Sequence, residues 1–404
     1  MIFAAVTSLL LTGAHARTWT SADGSQTFDG ELNFYDAGNG KVTVTLTNGK
    51  RLSFIQDKLS EDDIAYLKKN GTKASGFSSS STSVKELPDV LPDPDGKEAD
   101  MSKPVQVYIL LGQSNMLGFG KAATLQEVAK GGSYPYLVDD AGAWTVRKDV
   151  RNVRVMCSGN GPAKDYTNDW MTIQGNIGPE IGIGHYLGHV TDAPVMILKS
   201  CIGNRSLGWD LLPPGSVPYE HGGKTQPGYR GTPDDPGGDT GGDMSKGWYA
   251  GCQYDGDIAA AKKVLENLDK YYPGAKEYEV AGFFWWQGDK DMRNAAHFEQ
   301  YEKNLIQLIK ALRKDFDAPE AQFVSASLGQ TKEGSKGGDG VILDAMKAVS
   351  KNSDPELKGK VGFVYSNPLS KGGSSSGHYS GNPETYMNIG EAMGKAMVEL
   401  LQRK

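Results

Sequence analysis

Three short segments hold the residues of this 404-residue chain best suited to chemistry. They are Gly112-Gln113-Ser114-Asn115, Gly203-Asn204-Arg205-Ser206 and Gln287-Gly288-Asp289-Lys290-Asp291, each polar, glycine-bearing and placed at the end of an apolar run. Ser114 reads as a hydroxyl nucleophile or as a helix N-cap. As a nucleophile it would be helped by free backbone N–H groups at a helix start, which stabilise the oxyanion of an acyl-transfer intermediate. It would also need a base, and six histidines are available. His15 lies in the leader. His185 and His189 share one helical face but lack the intervening glutamate of a zinc-binding HExxH helix, and read as packed or surface residues. His221 sits in a long loop and His297 opens a helix. His378 lies in the polar loop "SSSGHYSGNPETY" between the last strand and the last helix. There an imidazole either reaches across the sheet edge or simply faces solvent.

Metal chemistry finds little support. Cys157, Cys201 and Cys252 form no CxxC pair, which leaves room for at most one disulfide and argues against structural zinc. The aspartates of "TPDDPGGDTGGD" lack EF-hand spacing and read as a solvated loop. No metal or cofactor is expected.

The elements that must position these residues begin near Val105. Apolar runs at 105–112, 194–203, 278–288, 321–329 and 360–366 alternate with amphipathic stretches. Near-continuous apolar strands suit a parallel sheet covered on both faces. Strand–helix alternation predicts a doubly wound α/β layer with about five parallel strands. In such sheets ligands bind beyond the carboxyl ends of the strands, so all three polar segments converge on one rim. Two insertions are expected: an extra hairpin at 141–160 and a Gly-, Pro- and Asp-rich loop at 207–250.

Upstream, residues 1–16 read as a secretory signal, because the apolar run is too short to span a bilayer and "AHA" is a cleavage-type tripeptide. The expected location is secreted or periplasmic. Residues 17–70 read as a small β-rich unit, with an Asn-Gly hairpin inside "KVTVTLTNGKRLSFI" and a helix capped by Ser60. Residues 71–104 read as a linker and 105–404 as the main domain. A net charge of −6 argues against nucleic acid or anionic membrane as the main partner.

Two resemblances follow from these residues. "RTWTSADGS", the strand pair and "KLSEDDIAYL" resemble SLA1 homology domain 1, which implies an SH3-like module binding a protein or glycan. "GQSNM" (112–116), "KSCIGNRSLGWDLLPP" (199–214), "WWQGD" (285–289) and "GHYSGNPETYMNIGEAM" (377–393) resemble the sialate O-acetylesterase/carbohydrate esterase branch of the SGNH hydrolases. That resemblance implies a flavodoxin-like three-layer α/β/α fold and removal of O-acetyl groups from sugars without a metal. It implies Ser114 as nucleophile, His378 as base, and oxyanion donors from the backbones of Ser114 and Gly203 and the side chain of Gln287. The acid many relatives carry three residues before the histidine is here Ser375. Asp289 is expected to take its place, with Asp291 as the alternative. Gln113, Asn115, Asn204, Arg205, Trp209, Trp248 and Tyr379 are the expected substrate contacts. Trp285 and Trp286 are further candidates for sugar contact, although their position within an apolar strand puts at least one of them in the core. Two other readings stay open: a non-catalytic carbohydrate-binding protein, favoured by the serine at 375, and a general esterase or lipase.

Overall fold

The computed structural model describes residues 17–36, 40–47, 51–70, 87–88, 90–94 and 96–403. The expected signal, the Asn48-Gly49 turn and most of the linker lie outside them. The chain divides into two units, 1–83 and 84–404.

The first unit is an antiparallel meander of β1 (Arg17–Thr20), β2 (Thr27–Asp36), β3 (Lys41–Leu46) and β4 (Arg51–Ile55), followed by α1 (Glu61–Asn70). Trp19, Val42, Val44, Leu59 and Leu67 form its core. Ser60 caps α1: its Oγ accepts from the Asp63 N–H at 3.3 Å. Buried Asp63 accepts in turn from Arg17 Nε and Nη2, at 3.0 and 2.7 Å, and from Thr20 N–H at 2.7 Å. One carboxylate thus ties the first strand to the helix.

The second unit opens with β5 (Val105–Gly112), α2 (Ser114–Leu117), α3 (Ala122–Lys130), β6 (Arg147–Met156), β7 (Lys164–Met171), α4 (Glu180–Val190) and β8 (Val195–Ser200). The hairpin β9 (Tyr219–His221) and β10 (Lys224–Gln226) precedes α5 (Cys252–Glu266), α6 (Leu268–Tyr271) and β11 (Tyr278–Trp286). Then come α7 (Ala295–Phe298), α8 (Tyr301–Asp315), β12 (Gln322–Ala326), α9 (Gly338–Ser350), β13 (Val361–Val364) and α10 (Pro383–Gln402). The sheet runs β13-β12-β11-β5-β8-β6-β7, parallel except for the edge strand β7.

The five expected strands are all present, and a sixth parallel strand joins them. It is β6, in the segment read as an outlying hairpin, which returns as β7 over 164–171. Two of its arginines, Arg147 and Arg151, are buried with partners. Arg147 pairs with Asp149 at 2.6 Å, and Arg151 donates to the Tyr271 carbonyl at 2.9 Å and stacks over Trp170. The 207–250 insertion is ordered by β9–β10 and by many turn hydrogen bonds.

Alternate side chains of the sheet enter opposite layers, as strand geometry requires. Ile109, Leu111, Phe283, Trp285 and Phe323 pack with Ile258, Leu308 and Ile342 of α5, α8 and α9. Tyr108, Leu110, Phe284, Trp286 and Val324 pack with Ile183, Leu187, Met393 and Met397 of α4 and α10. Both Trp285 and Trp286 are fully buried. After β5 the chain lays down β6, β7 and β8 on one side and then β11, β12 and β13 on the other, so the carboxyl end of β5 is the switch point where a ligand crevice is expected. No described helix is long and apolar enough to cross a membrane.

Candidate active site

Ser114 stands at that switch point. β5 ends on Gly112, whose φ is +143°, and a Cβ there would come within 2.5 Å of the Trp286 carbonyl oxygen. Gly118 closes α2 at φ +94°, where a Cβ would lie 2.3 Å from the backbone of Gly178. Two glycines therefore fold the sharp turn that lifts Ser114 off the strand. Its Oγ makes no hydrogen bond among the described residues, nor does its backbone N–H. Gly203 lies close by: a Cβ on it would sit 3.6 Å from Ser114 Cβ, and its N–H also donates to nothing described.

His378 occupies a left-handed run, with φ of 49° for itself, 53° for Tyr379 and 55° for Ser380. This loop, Ser375–Gly381, packs against α2. The imidazole is half-buried and lies face to face with Phe119, ring centroids 4.0 Å apart and planes 9° apart. The structure thus brings the elements of Ser114 and His378 together. It forms no hydrogen bond between the two side chains, and none from the imidazole to a carboxylate. Catalytic hydrogen bonds are often long in unliganded enzymes.

The two candidate acids serve other partners. Asp289, 8 % exposed, accepts from Ser375 Oγ at 2.7 Å and Ser376 Oγ at 2.8 Å, and meets Arg293 at 3.0 Å. It therefore grips the histidine loop at position 375, three residues before His378, and not the imidazole. Asp291 is fully buried and accepts from the N–H groups of Leu207 (3.0 Å) and Gly208 (2.8 Å) and from Gln287 Nε2. Burial pushes its carboxyl up to about 6, against the lowering effect of those hydrogen bonds. Its nearest imidazole is His297, at 3.8 Å. Burial lowers His297 to about 4.

Gln287 sits among acceptors. Its Nε2 donates to the Arg205 carbonyl at 2.9 Å, to Gln113 Oε1 at 3.2 Å and to Asp291, while its Oε1 accepts from Tyr301 at 2.9 Å. Both amide hydrogens are engaged, so Gln287 braces the three polar segments in this state and offers no free donor to an oxyanion.

Several expected substrate contacts are corrected by burial. Gln113 (2 % exposed) braces Gln287 and the Lys290 N–H; Asn115 (0 %) is enclosed, with neither amide atom partnered. Tyr379 (0 %) stacks on Trp286 and accepts from Gly329 N–H at 3.1 Å, which makes it an anchor of the histidine loop. Asn204, by contrast, is exposed, and the Arg205 guanidinium lies 4.9 Å over the Trp248 ring. Trp209 is partly exposed and lines a cleft of about 540 Å³ with Lys224, Gln226, Pro233 and His297. Among the described residues no group of His, Cys, Asp and Glu could hold a metal ion, and all three cysteines are free and buried.

Residues 238–399 match the family model described as carbohydrate esterase, sialic acid-specific acetylesterase. Over those residues the chain is similar to that family. Residues 12–75 match SLA1 homology domain 1. The carbohydrate-esterase match contains Gln287, Asp289, Asp291 and His378, while Ser114 and Gly203 lie upstream of it. Solved structures similar to the chain include a protein from Arabidopsis thaliana (14 % identity, 74 % of this chain, 99 % of that one, TM-score 0.43). Another is a carbohydrate acetylesterase from Xanthomonas citri (13 %, 97 % and 70 %, TM-score 0.47). A third is NanS (12 %, 74 % and 98 %, TM-score 0.40). No curated protein matches.

One buried charge pair beside this candidate site escaped the sequence reading: Lys199 of β8 with Glu180 of α4, at 2.6 Å. Its signal was a lone lysine inside the apolar run "PVMILKS".

Proposed function

We propose that this protein is an exported serine esterase that removes O-acetyl groups from sugars or polysaccharides. Ser114 Oγ attacks the acetyl carbonyl while His378 takes its proton. The N–H groups of Ser114 and Gly203 hold the oxyanion. The sugar hydroxyl leaves with the proton from His378. Water, deprotonated by the same imidazole, then splits the acetyl-enzyme into acetate and free Ser114. Asp289 keeps the histidine loop in place through Ser375. Asn204, Arg205, Trp209 and Trp248 border the substrate, and aromatic faces suit stacking on pyranose rings. The N-terminal module recruits the enzyme to a protein or glycan.

The observation that carries this reading is the unpartnered Ser114 hydroxyl at the switch point, backed by the free N–H of Gly203 and flanked by the His378 loop. The test is hydrolysis of p-nitrophenyl acetate by the wild type and by Ser114→Ala. Equal rates overturn it. The non-catalytic sugar-binding reading draws on the missing carboxylate partner of His378, and it predicts that equality. A preference for long-chain over acetyl esters would favour a general esterase or lipase.

A further inference from the structure

The turn that carries Ser114 is a helix of four residues. One turn of helix does not support itself, because its nucleation costs more than its few hydrogen bonds return. Something outside must hold it, and its last carbonyl groups have no partner within the helix. The Leu117 carbonyl accepts from Lys199 Nζ at 2.8 Å. The same ammonium donates to Glu180 Oε2 at 2.6 Å, and Glu180 Oε1 accepts from Gly178 N–H at 3.0 Å. Both side chains are buried, at 2 % and 8 % exposure. The packing around them is tight. A Cβ on Gly178 would lie 2.5 Å from Glu180 Oε2, 2.9 Å from Lys199 Nζ and 3.0 Å from the Met116 carbonyl oxygen.

A buried lysine near the carboxyl end of an apolar sheet strand carries a large desolvation penalty that an aliphatic residue would not. Stability is therefore a poor account of its presence, and position is a better one. Lys199 belongs to β8, and four residues later that chain reaches Gly203. Glu180 opens α4. One ammonium thus links the end of the nucleophile turn, the strand leading to the oxyanion loop, and the start of a core helix.

We propose that the Lys199–Glu180 pair is a positioning clamp that fixes the Ser114 turn relative to the Gly203 loop. The proposal rests on the reading of Ser114 as nucleophile and Gly203 as oxyanion donor. A displacement of the order of 1 Å in such a constellation lowers the rate about a hundredfold.

The test is the double variant Lys199→Met/Glu180→Gln, which removes both charges and leaves no lone ion buried. Two quantities are measured: kcat and KM for p-nitrophenyl acetate, and amide hydrogen exchange of the segment 113–120 by mass spectrometry. The clamp predicts a kcat loss of about ten- to a hundredfold. KM should stay within about threefold, as expected for an interaction that matters in the transition state. It also predicts faster exchange in 113–120. Lys199→Arg, which keeps the pair, should recover most of kcat. Unchanged exchange overturns the clamp, and so does loosened exchange with kcat within twofold of wild type. Should the double variant not fold, Glu180→Gln alone is read by the same two measurements, with a smaller loss expected. An inactive wild type defeats the esterase reading, and the exchange measurement then decides the clamp by itself.

Discussion

Replacing Asp289 separates two mechanisms by magnitude. If the carboxylate partnered the imidazole directly, even Asp289→Asn would fix the wrong tautomer, and loss of about 10⁴ in kcat is the scale seen for such an acid. The structure places the carboxylate on Ser375 and Ser376 instead, at 2.7 and 2.8 Å. Three bonds are then at stake in Asp289→Ala. Arg293 is 60 % exposed on its side of the ion pair, so that bond contributes little. Ser376 is exposed and exchanges its bond for one with water. Ser375 is 1 % exposed, and an unsatisfied buried hydroxyl costs about 1–3 kcal/mol. If the whole of that shifts the histidine loop away from its reactive position, kcat/KM falls roughly 5- to 150-fold in Asp289→Ala. Asp289→Asn keeps one acceptor oxygen for Ser375 and should lose about fivefold or less. The assay is initial rates on p-nitrophenyl acetate, with circular dichroism to show that both variants fold. A loss of about 10⁴ in the asparagine variant would refute the loop-anchor account and put Asp289 on the imidazole. No loss in either variant would show that the anchor does not matter.

Other outcomes follow from the same geometry. Ser114→Ala should abolish ester hydrolysis while leaving the melting temperature within about 2 °C, since its hydroxyl has no partner to lose. Trp209→Ala should raise KM on an acetylated polysaccharide several-fold and leave p-nitrophenyl acetate kinetics alone; parallel changes on both substrates would remove Trp209 from glycan binding. His297, lowered to about 4 by burial, is held neutral in the fold. Its contribution is complete above the unfolded value near 6.5 and is lost as pH falls through 4, a change of ~3 kcal/mol at most. Thermal melts between pH 7 and 4 should therefore fall less steeply in His297→Gln than in wild type, and identical slopes would count against this. The three buried thiols, with Cys157 and Cys201 pushed up to about 12, should react with a disulfide reagent only after denaturation.

The apolar runs made the sheet legible, because a strand covered on both faces has little freedom in composition. β6 was the exception. Its valines at 150, 153 and 155 are core residues, but charged arginines accompany them, and only the partners Asp149, Tyr271 and Trp170 reveal why Arg147 and Arg151 are tolerated there. The polar strand ends were legible in the same way: glycine and amide residues after an apolar run mark a rim. What the sequence could not provide was direction. Gln113, Asn115 and Tyr379 sit beside Ser114 and His378 in the chain, yet their side chains point inward.

That inward turn has a mechanical cause. A site on the rim of an open sheet is built from loops that belong to different strands, and loops do not hold each other at fixed distance without buried polar bonds. Here the third segment supplies most of them. Gln287 reaches the β5 end through Gln113 and the β8 loop through the Arg205 carbonyl, Asp291 holds the N–H groups of Leu207 and Gly208, and Asp289 holds Ser375. Each joins a residue 82 or more positions away in the chain. Carboxylates and amides at a strand end are therefore weak evidence of direct chemistry until their partners are known. A residue with no partner at all, as at Ser114 Oγ, is the stronger sign, because the fold has left it available to something from outside.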